Sequence, residues 1–266
     1  METLRFAIVI PALNEAGTIR KLAEACLQQA DTVIVVDDGS DDGTAGQLAG
    51  LPLELVHHEV PRGKGAALWA GLNRAREAGA THAVTLDGDG QHDPADIPRL
   101  LAAARANPRA LVIGSRRAAA AAMPAGRRRA NRIADFFMHW AGGQPVPDSQ
   151  SGFRVYPLAL LDHLHDPGRF RGGFVFESWA VIRAGRHGVP VTGVEIPAIY
   201  HAGLRPSHFR PWADITAITL MTTLEIVQQG FALRALWQAI RALGQNGSDG
   251  SEARVAGPSG GDGRGS

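Results

Sequence analysis

Thr85-Leu86-Asp87-Gly88-Asp89-Gly90-Gln91-His92-Asp93-Pro94 places two carboxylates one residue apart, where the short apolar run His82 to Leu86 comes to an end. A run of that length closed by glycines reads as a buried β-strand, and the glycines let the backbone turn sharply toward a ligand. Side chains at i and i+2 of an extended segment point the same way. Asp87 and Asp89 are therefore placed to converge on one hard divalent cation, Mg2+ or Mn2+, with Gln91 as a further oxygen ligand. Asp and Gly are also ordinary turn residues, so the rest of the chain decides between a surface turn and a metal site.

Upstream, the same unit repeats. Phe6 to Ile10 is a β-rich run stopped by Pro11, and Thr32 to Val36 is a second, closed by Asp37-Asp38-Gly39-Ser40. Leu53 to His57 is a third. Between them, Glu15 to Gln29 carries Ile19, Leu22, Ala23, Cys26 and Leu27 at helical spacing, a short helix is expected near Thr44 to Leu48, and a longer one over Gly65 to Ala78. Downstream the pattern predicts a helix around Ile97 to Ala106 and a strand Ala110 to Ile113 ending in Gly114-Ser115-Arg116-Arg117. A further helix is expected over residues 130 to 141, anchored by Phe136, Phe137 and Trp140. Short apolar strands alternating with helices give an α/β fold with a mostly parallel sheet covered on both faces. Ligands of such sheets bind beyond the carboxyl ends of the strands, so Asn14-Glu15, Asp37-Asp38 and Asp87-Asp89 are expected to share one crevice.

Composition narrows the function classes. A formal net charge of +1 over 266 residues argues against a protein built to coat nucleic acid. The charge is unevenly placed: Arg116, Arg117, Arg127, Arg128, Arg129 and Arg132 crowd one region, and acids crowd residues 37 to 42 and 87 to 96. The single cysteine, Cys26, allows no intrachain disulfide and suits a reduced, cytosolic setting as a buried structural thiol. No signal peptide is read at the N-terminus, and no segment has the run of about 18 apolar residues a membrane span needs. From Trp212 to about Leu243 the apolar residues recur at helical spacing, predicting amphipathic helices packed on the domain or on a membrane surface. Gly244 to Ser266 is Gly- and Ser-rich and is expected to be disordered.

Lys64 in Arg62-Gly63-Lys64-Gly65 suits a phosphate contact, but the segment lacks the G-x-x-x-x-G-K-[ST] spacing of a nucleoside triphosphatase loop. Taken together, Pro11-Ala12-Leu13-Asn14-Glu15, Val36-Asp37-Asp38-Gly39-Ser40-Asp41-Asp42-Gly43-Thr44, Gly63-Lys64-Gly65, Asp87-Gly88-Asp89-Gly90-Gln91-His92, Gly114-Ser115-Arg116 and Asp148-Ser149-Gln150-Ser151-Gly152-Phe153-Arg154 resemble, in this order, the motifs of family 2 glycosyltransferases. They are most similar to the polyprenyl-phosphate, dolichyl-phosphate mannosyltransferase-like branch, over roughly residues 5 to 210. The resemblance implies a GT-A fold over residues 1–211 and an inverting transfer from a nucleotide-diphosphate sugar. It further implies a divalent ion on Asp87, Asp89 and Gln91, and a nucleotide site around Pro11, Asn14, Glu15, Asp37, Asp38, Lys64 and Asp87.

The acceptor is the finer question. A hydroxyl nucleophile needs a base near its proton, whereas a lipid phosphate is already anionic and needs positioning and charge screening. The chain has no Q-x-x-R-W motif of the polymer synthases. Arg116 with Arg128 or Arg129 suits a polyprenyl-phosphate acceptor, and Ser151, Arg154 and Arg210 are added to that site by the resemblance. Asp89, Arg116 and Arg128 are thus the expected catalytic set. Transfer to a hydroxyl of a lipid-linked or soluble acceptor is the alternative, and a nucleotide-sugar-binding module without activity is a third reading. Asp148 is left open between a base, a second metal-side carboxylate and a strand-end cap. Glu177, in the apolar run Phe174-Val175-Phe176, is expected to pair with an arginine such as Arg154. A peripheral position at the inner face of the cell membrane follows from such an acceptor.

Overall fold

The computed structural model describes residues 4–90, 92–116, 125–164, 175–197 and 211–252, without the side chains of 125–130, 211–214 and 243–252. The first half alternates as its apolar runs predict: β1 (Phe6–Ala12), α1 (Ile19–Leu27), β2 (Val33–Asp37), α2 (Thr44–Gln47), β3 (Glu54–His57), α3 (Lys64–Glu77) and β4 (His82–Thr85). Then come α4 (Ile97–Ala106), β5 (Leu111–Ser115), α5 (Ala125–Gly142), β6 (Arg154–Pro157), α6 (Val175–Arg186), β7 (Val191–Glu195), α7 (Pro211–Gln228) and α8 (Leu233–Glu252). The seven strands form one sheet in the order β3-β2-β1-β4-β6-β5-β7. Every pairing is parallel except those of β6, which runs against both β4 and β5.

Strand residues alternate between two cores, which is why the runs are apolar at every position rather than at every second one. Ala7, Val9, Ile34 and Val36 face the layer of α3, α5 and α6, while Ile8, Ile10, Val33 and Val35 face α1 and α4. α3 reaches its layer through Gly71, where a methyl group would stand 2.3 Å from Val9 Cγ1. In the opposite layer burial pushes the Cys26 thiol up to about 12, as expected of a structural cysteine.

Two differences from the sequence reading position the site. α1 begins at Ile19, not Glu15, because the backbone N–H groups of Glu15 and Ala16 are taken by Thr44 Oγ1 at 2.8 Å and Asp42 Oδ2 at 3.0 Å. The antiparallel β6, not anticipated, sets its first residue Arg154 opposite Thr85 and Ile113, carrying the 148–152 segment to the carboxyl ends of β4 and β5. The amphipathic C-terminal region is two helices, broken at Gly230–Ala232. α8 also runs on to Glu252, into the stretch that composition marks as disordered. A formed helix adds one hydrogen bond for each residue it fixes and so outlasts weak formers. Residues 253–266 lie outside the described residues.

Candidate active site

Loops leaving β1 and β2 are stitched into one rim. Asn14 takes the left-handed conformation (φ 57°) that asparagine tolerates better than most residues. Its N–H donates to Ser40 Oγ at 2.8 Å, and its Oδ1 accepts from the Asp41 N–H at 3.0 Å. Asp37 is fully buried and accepts from the Ser40 N–H at 3.1 Å, with the His57 ring nitrogen at 3.1 Å on its other oxygen. Asp38, also buried, accepts from Arg62 N–H at 2.9 Å and Gly63 N–H at 2.7 Å, and meets His58 Nδ1 at 2.7 Å. Pro11, Asn14, Glu15, Asp37 and Asp38 are therefore brought together as expected, but both aspartates use their carboxylates within the protein. They set the shape of the rim.

Gly88 joins this rim to the acidic loop: its carbonyl accepts from Thr18 Oγ1 at 2.8 Å, and a Cβ there would stand 3.1 Å from the Pro11 carbonyl oxygen. Asp87 lies against Gly152, where any Cβ would come within 2.7 Å of its Oδ2. Only glycine lets the 148–152 segment approach so closely.

The centre of the site is a bridge that sequence reasoning missed. Lys64 Nζ, at the start of α3, stands 2.6 Å from Asp87 Oδ1 and 3.0 Å from Glu177 Oε2 on α6. Burial opposes ionisation of both Lys64 and Asp87, yet the ammonium is held above its ordinary range by Asp87 and Glu177, and the Asp87 carboxyl is held below its own by Lys64, His92 and Arg116. Glu177 does meet Arg154, but through its main-chain carbonyl, which accepts from Nη1 at 2.7 Å. An acid buried in an apolar run signals the need for a cation; the fold supplies the lysine.

Arg154 and Ser151 depart from the acceptor role expected of them. Both are fully buried, and the Arg154 guanidinium also donates to the carbonyls of Ser151 at 2.7 Å and Ser149 at 3.1 Å. The cause is the position of Arg154 inside a strand covered on both faces, where its fork holds the 149–151 backbone against α6. Arg116 is better placed: it is part-buried at the end of β5, with its N–H 3.2 Å and its Nε 3.4 Å from Asp148 Oδ2. The other oxygen of Asp148 accepts from the Gln150 N–H at 3.1 Å. Gln91 and Arg210 lie outside the described residues, as do the side chains of Arg128 and Arg129.

His92 packs its ring on Phe153, centroids 5.2 Å apart, and burial brings its pKa down to about 4, so the imidazole is neutral at pH 7. Its buried Nδ1 has no hydrogen-bond partner among the described residues. Among those residues, too, no three His, Cys, Asp or Glu side chains form a cage for a metal ion. Two carboxylates in one loop are a partial oxygen set for a cation that shares its remaining positions with phosphate oxygens, the usual habit of Mg2+. The residues fit a cation bound jointly with a ligand rather than by the protein alone.

Comparison with known proteins agrees with this architecture. The profile of the family described as "Glycosyl transferase family 2" matches residues 7–164. The chain is 31% identical over 214 residues to UDP-N-acetylglucosamine--dolichyl-phosphate N-acetylglucosaminyltransferase of Methanococcus voltae, covering 73% of this chain and 85% of that protein. To undecaprenyl-phosphate mannosyltransferase of Micrococcus luteus it is 32% identical over 209 residues, covering 72% and 84% respectively. A crystal structure of glucosyl-3-phosphoglycerate synthase from Mycobacterium tuberculosis, in complex with Mn2+, UDP and phosphoglyceric acid, superposes with a TM-score of 0.63 at 23% identity. It covers 85% of this chain and 78% of that one, and shows the shared GT-A fold.

Proposed function

The chain belongs to glycosyl transferase family 2, and from that footing we propose that it transfers a sugar, with inversion, from a nucleotide-diphosphate donor to a polyprenyl phosphate at a membrane surface. The observation that carries the acceptor is the engagement of Asp148. Both its oxygens accept hydrogen bonds from the chain, one from Arg116 and one from Gln150. A carboxylate so occupied suits orientation of an arginine better than removal of a proton from a hydroxyl. A phosphate acceptor needs no base, and Arg116 offers it a charge-assisted partner. The names of the relatives, which act on dolichyl and undecaprenyl phosphates, support the same class of acceptor.

In this reading the rim of Asn14, Glu15, Asp37 and Asp38 receives the nucleoside, and Lys64 lies close enough to Asp87 to meet the diphosphate. Arg116 holds the acceptor phosphate on the far side of the sugar, where an in-line approach to the anomeric carbon inverts it. A divalent cation, Mg2+ or Mn2+, held by Asp87 and Asp89 would supply charge neutralisation to the departing nucleoside diphosphate.

The test is incubation with labelled nucleotide sugars and either polyprenyl phosphate or glycan acceptors. Label is expected in the lipid; label confined to a glycan, or to neither, overturns the assignment. Arg116→Ala should raise the KM for the lipid phosphate about 10- to 100-fold, the worth of one charge-assisted hydrogen bond, and leave the donor KM nearly unchanged.

A further inference from the structure

The two aspartates at the end of β2 differ in what they hold. Asp37 accepts from Ser40 of its own turn, whereas Asp38 reaches across to the turn that leads into α3. Its Oδ2 accepts from the Gly63 N–H at 2.7 Å, and its Oδ1 faces both the Arg62 N–H at 2.9 Å and His58 Nδ1 at 2.7 Å. A carboxylate can only accept, so this ring nitrogen carries the proton. Both side chains are buried, His58 to 8% exposure and Asp38 to 3%. They are also rooted in the sheet: the Asp38 N–H donates to the Ala12 carbonyl at 2.8 Å, and the His58 N–H to the Asp37 carbonyl at 2.9 Å.

The turn held in this way decides where α3 begins. Gly63 stands at the N-cap, so the helix starts without a side-chain cap of its own, at a position where Ser, Thr, Asp or Asn would ordinarily tie down the first turn. Its φ of 94° and ψ of 154° are open essentially to glycine alone, and in that conformation its N–H meets Asp38. Gly39, next to Asp38, lies so near the incoming segment that a Cβ would stand 2.8 Å from the Pro61 nitrogen. The two turns are pressed together, and Asp38 is a polar link between them. Lys64 follows Gly63 directly, and its Nζ meets Asp87 at 2.6 Å and Glu177 at 3.0 Å at once. A lysine gives up about 1.5–2 kcal/mol of rotamer freedom to be held so. A contact made at two points tolerates little movement of its root.

We propose that Asp38 and His58 are positioning residues for Lys64: they fix the Arg62–Gly63 backbone and so hold the ammonium where it is to meet the donor diphosphate. Asp38 shapes the nucleoside rim, but its effect on affinity falls on the phosphates, through the lysine. His58 supplies the third hydrogen bond, which locks the carboxylate in the rotamer that faces both backbone N–H groups together.

This rests on the reading of Lys64 as the diphosphate contact, and the two fail separately in one set of titrations. Dissociation constants of UDP, UMP, GDP and GMP are measured by calorimetry on the full-length protein with Mn2+, well below the unfolding transition. In wild type the diphosphate of one base is expected to bind about tenfold or more tightly than its monophosphate. Asp38→Asn sets a donor against the turn in place of an acceptor. It should weaken the diphosphate about tenfold or more, the worth of one charge-assisted hydrogen bond, and the monophosphate by less than about twofold. His58→Phe should act in the same direction, while His58→Asn, whose amide N–H can stand where Nδ1 stood, should restore binding to within about twofold of wild type. This pair carries the same test if Asp38→Asn fails to fold. In Lys64→Met/Glu177→Gln, Asp38→Asn should change the diphosphate affinity no further. A clamp that only held the fold together would lower the unfolding midpoint without singling out the diphosphate or depending on the lysine. Equal losses for mono- and diphosphate, or an undiminished effect of Asp38→Asn in the variant without the lysine, would overturn the positioning role. Wild-type protein that binds neither diphosphate more tightly than its monophosphate would overturn the donor reading itself, and this inference with it.

Discussion

At Lys64 a single residue is placed to act on both stability and the proposed chemistry. Its ammonium is shared by Asp87 and the buried Glu177, so Lys64→Met leaves two carboxylates facing each other with less to neutralise them. Breaking a buried pair from one side costs about 3–5 kcal/mol, and the partial exposure of Asp87 brings the expectation down to about 2–4 kcal/mol. Glu177→Gln added to Lys64→Met removes the repulsion and should restore most of that stability. Transfer should stay lost in both variants, because the lysine is also the proposed phosphate contact. Denaturant midpoints and turnover measured on the same preparations separate the two roles; recovery of turnover in the double variant would reduce Lys64 to a structural cation. Cys26 is the opposite case, a residue with packing and no chemistry. Burial raises its thiol from 9.0 to about 12. An acid raised in this way favours the fold below its unfolded value, and the contribution is lost as pH climbs from 9 toward 12. At pH 8 the native thiol should therefore resist a disulfide reagent, with labelling in urea following global unfolding. Labelling well before the unfolding transition would show that α1 opens by itself.

At the scale of elements, close backbone approach is written in glycines. A Cβ at Gly185 of α6 would stand 2.1 Å from the Gly142 carbonyl oxygen of α5, an atom that cannot swing away. Two effects compete in Gly185→Ala: alanine is the better helix former by about 1 kcal/mol, while overpacking costs about 1–3 kcal/mol and more when backbone must shift. Overpacking should win, with a net loss of about 1–2 kcal/mol in urea denaturation. Gly46 of α2 has open space around its position, and Gly46→Ala should be neutral or stabilising, giving an internal control for the propensity term. The elements that the sequence revealed and those it concealed differ in the same physical way. β1 to β4 are apolar runs closed by turn residues, and both signals survive without tertiary context. β6 begins with Arg154, whose charge argues against a buried strand until the carbonyls of Ser149, Ser151 and Glu177 are there to receive it. β7 contains Gly193 against Pro147, a fit that composition cannot display.

For the whole molecule, the rim residues and the acidic loop were legible because they sit at strand ends, where chain order fixes their place. The bridge from Lys64 to Glu177 was not, since it joins α3 to α6 across more than a hundred residues and depends on how helices pack on the sheet. The same geometry predicts how the protein answers its ligands. Asp87 and Asp89 do not, with the other described acids, histidines and cysteine, make a protein-only metal cage, so Mg2+ or Mn2+ alone should bind weakly and shift the unfolding temperature little. A nucleoside diphosphate alone brings negative charge beside two carboxylates. Together, each supplies what the other lacks: the cation screens the acids, and the phosphate oxygens complete its shell. At about 100 times the dissociation constant the ternary complex gains about 2.7 kcal/mol, which for a domain of this size is a rise of about 5–10 °C. Thermal unfolding with cation, with nucleotide and with both should show a rise for the pair well beyond the sum of the single additions. Asp89→Ala should abolish that excess while leaving the unliganded transition nearly in place, because the loop carboxylate adds little to the core. An additive response, or a full response in the presence of excess chelator, would remove the cation from the donor site.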